Sequence, residues 1–367
     1  MAYSSVKTPR FIIDWLQWWK ELGLIKGRDI YMDMATMTSH EDEALGIENM
    51  MGLPPTSQTT VTNFEEGGNG VNYRMTGTIQ PFPIHDINIV GLLGHNLGDY
   101  EDAELGFVYF DNSNESASVK LTNTIAINTG TSNDVNIQPY YNGFSFRSAD
   151  GSHDSSKDPG INGGQSIVPV LRNVFGSDVI SISSMIMGRY YDMPANPNLS
   201  LTLSREYKGL KNTNTYMGHS LSNSMWNKAP SWGDLPAWGL SDPNNPSTDL
   251  NLMGQSGRRI WDLKFSYIDD RDLFGSNQSL SNINFTSTNY DSGDITNDGD
   301  FEYNLINDDS FFPQVWHKTL GGTLPFVFQP DKDVNEFAIC RFADSSLKAT
   351  QSAHNVYDIS LKIEEVW

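Results

Sequence analysis

The sequence predicts a mainly β protein, an antiparallel β-sandwich followed by a β-barrel, with a short helix near the N-terminus. Short apolar segments recur along the 367 residues, and clusters of Asn, Asp, Ser and Gly separate them, which is typical of sandwiches and barrels. Residues 357–363 alternate apolar and polar side chains without a break, which is the period of a strand with one buried face. Because a terminus frays unless it is tied down, we expect this last strand to be fixed in a sheet that another copy or a partner can continue.

The N-terminal helix is predicted from a start signal and a run of aromatic residues. Thr8 supplies a capping hydroxyl, Pro9 fits the first helical position and Gly23 can end the helix. A strand through 11–13 followed by a shorter helix is the competing interpretation. The tryptophans would either cover a sheet or form a docking face for a neighbouring subunit, since Trp is enriched among the energetic anchors of interfaces. The apolar residues at helical spacing are Phe11, Trp15, Trp18, Trp19 and Leu22.

Further strands are predicted between turn-rich stretches, and the chain is too long for one core. We expect strands at residues 87–93, 105–110, 118–121, 144–147, 179–187, 199–204, 261–267, 324–328, 337–342 and 357–363. The predicted parts are an N-terminal helix and extended segment at 1–80, a β-sandwich at 81–211, a Trp- and Pro-rich connector at 212–256, and a barrel domain at 257–367 with a long insertion at 275–309.

Net charge and hydropathy exclude two classes of partner. The chain carries 45 acidic and 24 basic residues, a net charge of −21, and a surface this acidic repels phosphate backbones, so we expect no direct nucleic-acid binding. No segment approaches the roughly 20 apolar residues of a membrane span, and the first residues contain no apolar signal core. We therefore expect synthesis in a cytoplasm and no membrane partner.

The residues that carry chemistry in other proteins form no recognisable site. Cys340 is the single cysteine and lies in an apolar strand, which predicts a buried structural thiol. The seven histidines, His95 among them, form no HxH or HExxH pair, and no GxSxG, Walker or GxGxxG motif occurs. The stretch from Asp294 to Asp300 resembles the start of a calcium loop, but Leu305 stands where the bidentate Glu belongs. We predict no catalytic, cofactor-binding or metal-binding residue, and no enzyme.

The connector contains three tryptophans among prolines and glycines. Trp226, Trp232 and Trp238 would either pack the connector onto the body of the protein or stack against a sugar or a protein partner.

The segment 257–367 contains an ordered series of aromatic, Gly and Pro motifs. In order they are Arg258-Arg259-Ile260-Trp261-Asp262-Leu263-Lys264-Phe265, Gly321-Gly322-Thr323-Leu324-Pro325-Phe326-Val327-Phe328-Gln329-Pro330-Asp331, Cys340-Arg341-Phe342, and Tyr357-Asp358-Ile359-Ser360-Leu361 continuing to Glu365-Val366. This order is similar to that of tail-tube, distal-tail and related baseplate proteins of bacteriophages.

The first half carries looser motifs of the same kind. They are Thr8-Pro9-Arg10-Phe11, the stretch from Val90 to Leu97, and Tyr191-Asp192-Met193-Pro194 running into residues 199–207. They resemble uncharacterised marine-phage virion proteins, and the region around His95 is similar to galactose-binding-like sandwiches.

The resemblance implies a non-enzymatic structural component of a phage particle, a ring-forming tail, baseplate or neck protein. Its partners would be copies of itself in a symmetric ring and other virion proteins, and it would reside in the virion after assembly in the host cytoplasm. The last strand would then close a tail-type barrel. A carbohydrate-binding adhesin or fibre-type module is the alternative, based on the sandwich and the connector tryptophans. A glycan hydrolase, based only on abundant carboxylates, is a third.

Overall fold

The structure is a computed structural model. It describes residues 6–23, 30–33, 51–53, 59–61, 71–77, 89–93, 104–111, 120–126, 145–148, 165–172, 180–206, 210–224, 231–232, 235–236, 258–274, 309–334 and 337–366.

Strands dominate the described residues. In chain order they are β1 (Arg10–Asp14), β2 (Ile30–Asp33), β3 (Thr59–Val61), β4 (Val71–Gly77), β5 (Ile89–Leu93), β6 (Glu104–Asp111), β7 (Lys120–Ala126), β8 (Ser145–Ser148), β9 (Gln165–Arg172), β10 (Ile180–Ile182), β11 (Ser184–Asp192), β12 (Thr202–Glu206), β13 (Leu210–Asn214), β14 (Ser220–Ser224), β15 (Ser231–Trp232), β16 (Leu235–Pro236), β17 (Arg258–Asp269), β18 (Phe326–Gln329), β19 (Ala338–Phe342), β20 (Ala349–Ala353) and β21 (Val356–Glu365). The helices are α1 (Trp15–Glu21), α2 (Asp270–Leu273) and a π-helix (Phe312–His317).

Ten antiparallel strands form the main sheet, in the order β12-β17-β21-β19-β18-β1-β11-β5-β8, with β20 also paired to β21. A second sheet has five strands in the order β2-β4-β9-β6-β7. The predicted mainly β, antiparallel class is confirmed. The strand order ends at β12 and at β8, and among the described strands no pairing joins those two ends into a closed barrel.

The main sheet combines strands from distant parts of the chain. Strand β1 lies between β18 and β11, with Arg10 opposite Gln329 on one side and Asp192 on the other. Strand β12 pairs with β17. Segments assigned to the sandwich and to the barrel by sequence therefore share this one sheet, while the boundaries at 80, 211 and 256 stay predictions.

The last strand is an interior strand of this sheet. Its residues 356–364 pair with β17 on one edge, and β19 and β20 divide the other edge between them. Ile359, Leu361 and Ile363 are buried, while Ser360 and Lys362 are exposed. The predicted half-buried strand is confirmed, and the strands that pair with both of its edges belong to the same chain.

The N-terminal segment follows the competing interpretation, a strand and then a shorter helix. Residues 11–13 are all buried in β1, because Phe11 and Ile13 pack in one apolar cluster and Ile12 packs in another. The helix begins after Asp14, whose side chain accepts a hydrogen bond from the backbone N–H of Leu16 at 3.1 Å. The predicted cap at Thr8 is wrong, since its hydroxyl bonds instead to Oδ1 of Asn196 at 2.6 Å.

An aromatic core fixes β1 against the C-terminal strands. The ring of Phe11 lies 5.4 Å from that of Phe328 and 5.5 Å from that of Phe326, measured between centroids. Phe342 lies 4.8 Å from Phe326 and Trp261 lies 5.2 Å from Phe328. Edge and tilted contacts of this kind each add about 0.5–1.5 kcal/mol to the burial of apolar area.

Candidate functional site

A buried lysine lies between α1 and the π-helix, where the sequence gave no reason to expect one. Lys318 is 0% exposed, and its Nζ lies 4.5 Å from the ring centroid of Trp15 and 5.7 Å from that of Trp18. Nζ also donates a hydrogen bond to Oε1 of Gln314 at 2.9 Å. A desolvated cation against an aromatic face gains about 2 kcal/mol, so this contact holds α1 against the π-helix.

Two titratable groups, each next in sequence to a residue of the lysine site, are shifted toward their neutral forms. Burial raises the pKa of Asp14 to about 7, although backbone donors, chiefly Met187, oppose the shift. Oδ1 of Asp14 accepts the N–H of Met187 at 3.3 Å, whereas Oδ2 has no hydrogen-bond partner among the described residues. Burial, and then the charge of Lys318, lower the pKa of His317, whose ring lies 5.9 Å from that of Trp18.

A buried ion pair joins the first and last strands of the C-terminal segment. Nη2 and Nε of Arg259 lie 2.8 Å and 3.0 Å from Oε1 of Glu365, and the backbone N–H of Arg259 donates to Oε2 at 2.7 Å. The Glu365 side chain is 1% exposed and that of Arg259 is 13% exposed. Three hydrogen bonds to one enclosed carboxylate fix the register of β17 against β21.

The thiol of Cys340 is buried, as predicted, and is poorly suited to chemistry. Burial raises its pKa well above the ordinary value, and the charge of Glu365 adds to the shift. Only the thiolate is nucleophilic, so this group stays an inert part of the core. In the described ranges no group of three or more His, Cys, Asp or Glu could hold a metal ion, and no helix has the length and apolar run needed to cross a membrane.

The docking-face interpretation of the N-terminal tryptophans is wrong. Trp15, Trp18 and Trp19 are at most 4% exposed, and α1 packs against β11. Trp232 belongs to the short strand β15, paired with Leu235. The other sequence candidates, His95, Trp226, Trp238 and the stretch from 294 to 305, lie outside the described residues.

A hairpin that the sequence placed largely in the connector carries three of the exposed large apolar side chains of the described residues. We call β13, β14 and the turn 215–219 the hairpin arm. The strands pair from Leu210 opposite Ser224 to Asn214 opposite Ser220. At the tip, Tyr216 is 103% exposed, Met217 83% and Leu221 60%.

The turn of the arm is held by its own hydrogen bonds. The backbone N–H of Thr215 donates to the carbonyl of His219 at 2.8 Å, and that of Gly218 donates to the carbonyl of Thr215 at 2.9 Å. The Thr215 hydroxyl oxygen accepts the N–H of His219 at 3.1 Å. Gly218 adopts φ +82°, which only glycine tolerates readily. The arm therefore presents its apolar tip on a defined backbone.

A charge signal for the arm is present in the sequence, although a search for catalytic motifs does not find it. Between Glu206 and Asp234 there is no acidic residue, and this stretch contains Lys208, Lys211 and Lys228. All 45 acidic residues of the protein lie elsewhere. Of these three lysines only Lys211 lies in the arm, so the arm carries one basic and no acidic residue within a strongly acidic chain.

The edge strand next to the arm is polar. In β12, Thr202, Ser204, Arg205 and Glu206 are exposed, and no described strand pairs with the edge opposite β17. Charged side chains on an edge strand oppose edge-to-edge pairing, so β12 is a weaker candidate for assembly than the arm.

No family model, no curated protein and no solved structure matches this chain at a significant level. The resemblance to phage virion proteins therefore rests on the sequence motifs alone and stays a prediction.

Proposed function

We propose that this chain is a non-enzymatic structural component of a bacteriophage particle, a ring-forming protein of the tail, baseplate or neck. The observation that carries the assembly role is the hairpin arm, because Tyr216 and Met217 are almost fully exposed at its tip. Aromatic residues and Met are enriched at protein interfaces, and large side chains left this open favour burial against a partner.

The phage assignment rests on the resemblance of the segment 257–367. The motif that begins at Arg258 forms β17, and the motifs at Phe326, Cys340 and Tyr357 belong to β18, β19 and β21. These four strands are neighbours in the main sheet, so the motifs occupy one continuous structural unit. This adjacency supports the resemblance, because motifs that belong to one protein domain are expected to form neighbouring strands rather than to lie apart.

Two buried polar sites in the described chain support a structural rather than a catalytic role. Lys318 and the pair Arg259–Glu365 are enclosed and hydrogen-bonded to their neighbours. Enclosed and satisfied polar groups specify one packing arrangement, whereas a catalytic group must reach its substrate.

Two measurements test the proposed function. Negative-stain imaging and mass measurement on the purified chain are expected to reveal closed rings, and mass spectrometry of purified particles of the source phage is expected to detect the chain. A species that remains monomeric at high concentration, together with absence from the particles, would refute the proposal.

Carbohydrate binding is the second candidate, and the exposed tyrosines favour it. Tyr216 is 103% exposed and Tyr267 is 81% exposed, and an exposed aromatic ring can stack on a sugar face. Binding on a glycan array that is lost on Tyr216→Ala or Trp232→Ala would support this function, and an array without binding would remove it.

A further inference from the structure

We propose that the hairpin arm of one protomer docks on the acidic body of a second copy of this chain. The proposal rests on the ring-forming function and names the contact that would build the ring. Three observations carry it: the preformed turn, the apolar tip and the charge of the arm.

The preformed turn lowers the entropic cost of docking. The turn 215–219 is closed by backbone and side-chain hydrogen bonds between Thr215 and His219, so its conformation is set before any partner arrives. Association loses less free energy when a binding loop is already ordered.

The apolar tip supplies a compact anchor. Tyr216 and Met217 are adjacent in the turn, and Leu221 follows in β14, all three largely exposed. Interface energy is concentrated in a few buried anchors, with Tyr among the enriched types. Among the described strands β13 and β14 pair only with each other, and the exposed tip is available to a partner.

The charge of the arm selects the occupant. Two copies of a chain with net charge −21 repel each other, and a self-contact needs a surface that offsets this repulsion. In the sequence the stretch 207–233 has three lysines, of which Lys211 lies in the arm, and no acidic residue, whereas all the acidic residues belong to the rest of the same chain. Complementary charge steers encounter and opposes contacts between like surfaces.

A contact between the arm of one protomer and the body of the next joins two different surfaces. Such a heterologous contact leaves each protomer with one arm and one body site free, so it propagates until the rotation closes a ring or a helical filament grows. The contact is therefore of the type that the proposed ring requires.

Sedimentation velocity over a range of protein concentrations tests the proposal. The double variant Tyr216→Ser/Met217→Ser is expected to weaken assembly at least tenfold, and Lys211→Glu is expected to weaken it as well. Leu199→Ser is the matched control, because Leu199 is also 103% exposed but lies outside the arm. Raising the salt concentration from about 50 mM to about 500 mM is expected to reduce the difference in assembly between the native chain and Lys211→Glu, because exposed charges are screened.

The outcomes separate this contact from the ring function. The arm contact is overturned if the double variant assembles as well as the native chain does. It is also overturned if Leu199→Ser weakens assembly as much as the double variant does. Neither outcome affects the ring-forming role. A native chain that stays monomeric overturns both the arm contact and the ring-forming role. The same holds if that monomer binds a glycan through Tyr216. Circular dichroism and thermal melting check that the variants are folded, which is expected for Tyr216, Met217 and Leu199 because their side chains are exposed.

Discussion

Replacing Glu365 by glutamine is expected to destabilise the protein far more than the same change at the neighbouring Glu364. Glu365 is 1% exposed and holds Arg259 through three hydrogen bonds of 2.7 to 3.0 Å. Glu364 lies 3.4 Å from Nε of Arg341, and the two side chains are 19% and 48% exposed. The two glutamates share their chemistry and are adjacent in β21, so burial is the variable that separates them.

The loss of folding free energy in each variant depends on which charged group remains without its partner. Loss of the Glu365 charge leaves the guanidinium of Arg259 enclosed and uncompensated, which costs about 3–5 kcal/mol in other proteins. The Arg259 side chain keeps 13% exposure, and its Nη2 lies 3.5 Å from the carbonyl of Phe337, so we expect the lower end, about 3 kcal/mol. The exposed pair of Glu364 contributes about 0–1 kcal/mol.

Urea denaturation followed by tryptophan fluorescence measures the difference, because the nine tryptophans report on the core. The midpoint of Glu365→Gln is expected to fall well below that of Glu364→Gln with little change in slope. The double variant Arg259→Leu/Glu365→Leu is expected to be less destabilised than Glu365→Gln, since no unpaired charge remains. Equal midpoints for the two glutamine variants would refute the reasoning.

Three further predictions concern the core of the sheet. Gly188→Ala is expected to cost several kcal/mol of stability or to prevent folding, because the added Cβ would lie 1.9 Å from the carbonyl oxygen of Ile13. Thermal melting measures the loss, and Gly52→Ala is the control because its Cβ would have no atom within 4 Å. The pKa of Asp14 is about 7 in the folded protein, against an ordinary value of 3.8, so the folded state keeps this proton at a pH where the unfolded state has lost it. Native stability is therefore expected to fall as pH rises from about 4 to about 7, by at most about 1.4 kcal/mol per pH unit. Urea titrations of Asp14→Asn across that range are expected to lack this fall, and parallel pH profiles for the native chain and the variant would contradict the prediction. Deletion of residues 359–367 removes most of β21, which pairs with other strands on both edges. Soluble expression and cooperative unfolding are both expected to be lost. A truncated chain that still unfolds cooperatively would show that β21 is dispensable for folding.

The N-terminal segment illustrates how far the sequence could be interpreted. The periodic aromatic residues from Phe11 to Leu22 fit one long helix, and Asp14 was not recognised as the cap. Two strands from elsewhere in the chain pair with β1 on its two edges, and these backbone hydrogen bonds favour an extended backbone over the helical period. The strand-then-helix alternative was open from the sequence, but only the neighbouring strands could decide it.

The burial of Lys318 and the exposure of the hairpin arm could not be predicted from the sequence, for different reasons. A lysine after Trp316 and His317 gives no sign of burial, because its environment comes from Trp15, some three hundred residues earlier in the chain. The arm lies in a segment whose polar composition indicated a connector, and the exposure of Tyr216 could not be inferred from composition. The absence of acidic residues between 207 and 233 was the available signal.

The sequence by itself determined that residues 357–363 form a half-buried strand, that Cys340 is buried and that the protein is mainly β. These properties depend on local alternation and on side-chain chemistry, which the sequence states directly. Only the tertiary structure decided that β21 lies in the interior of the main sheet, that β1 joins β18 to β11, and that Glu365 meets Arg259. Strand pairing joins residues that are distant in the chain, and local periodicity specifies which face of a strand is buried but not which strand lies beside it.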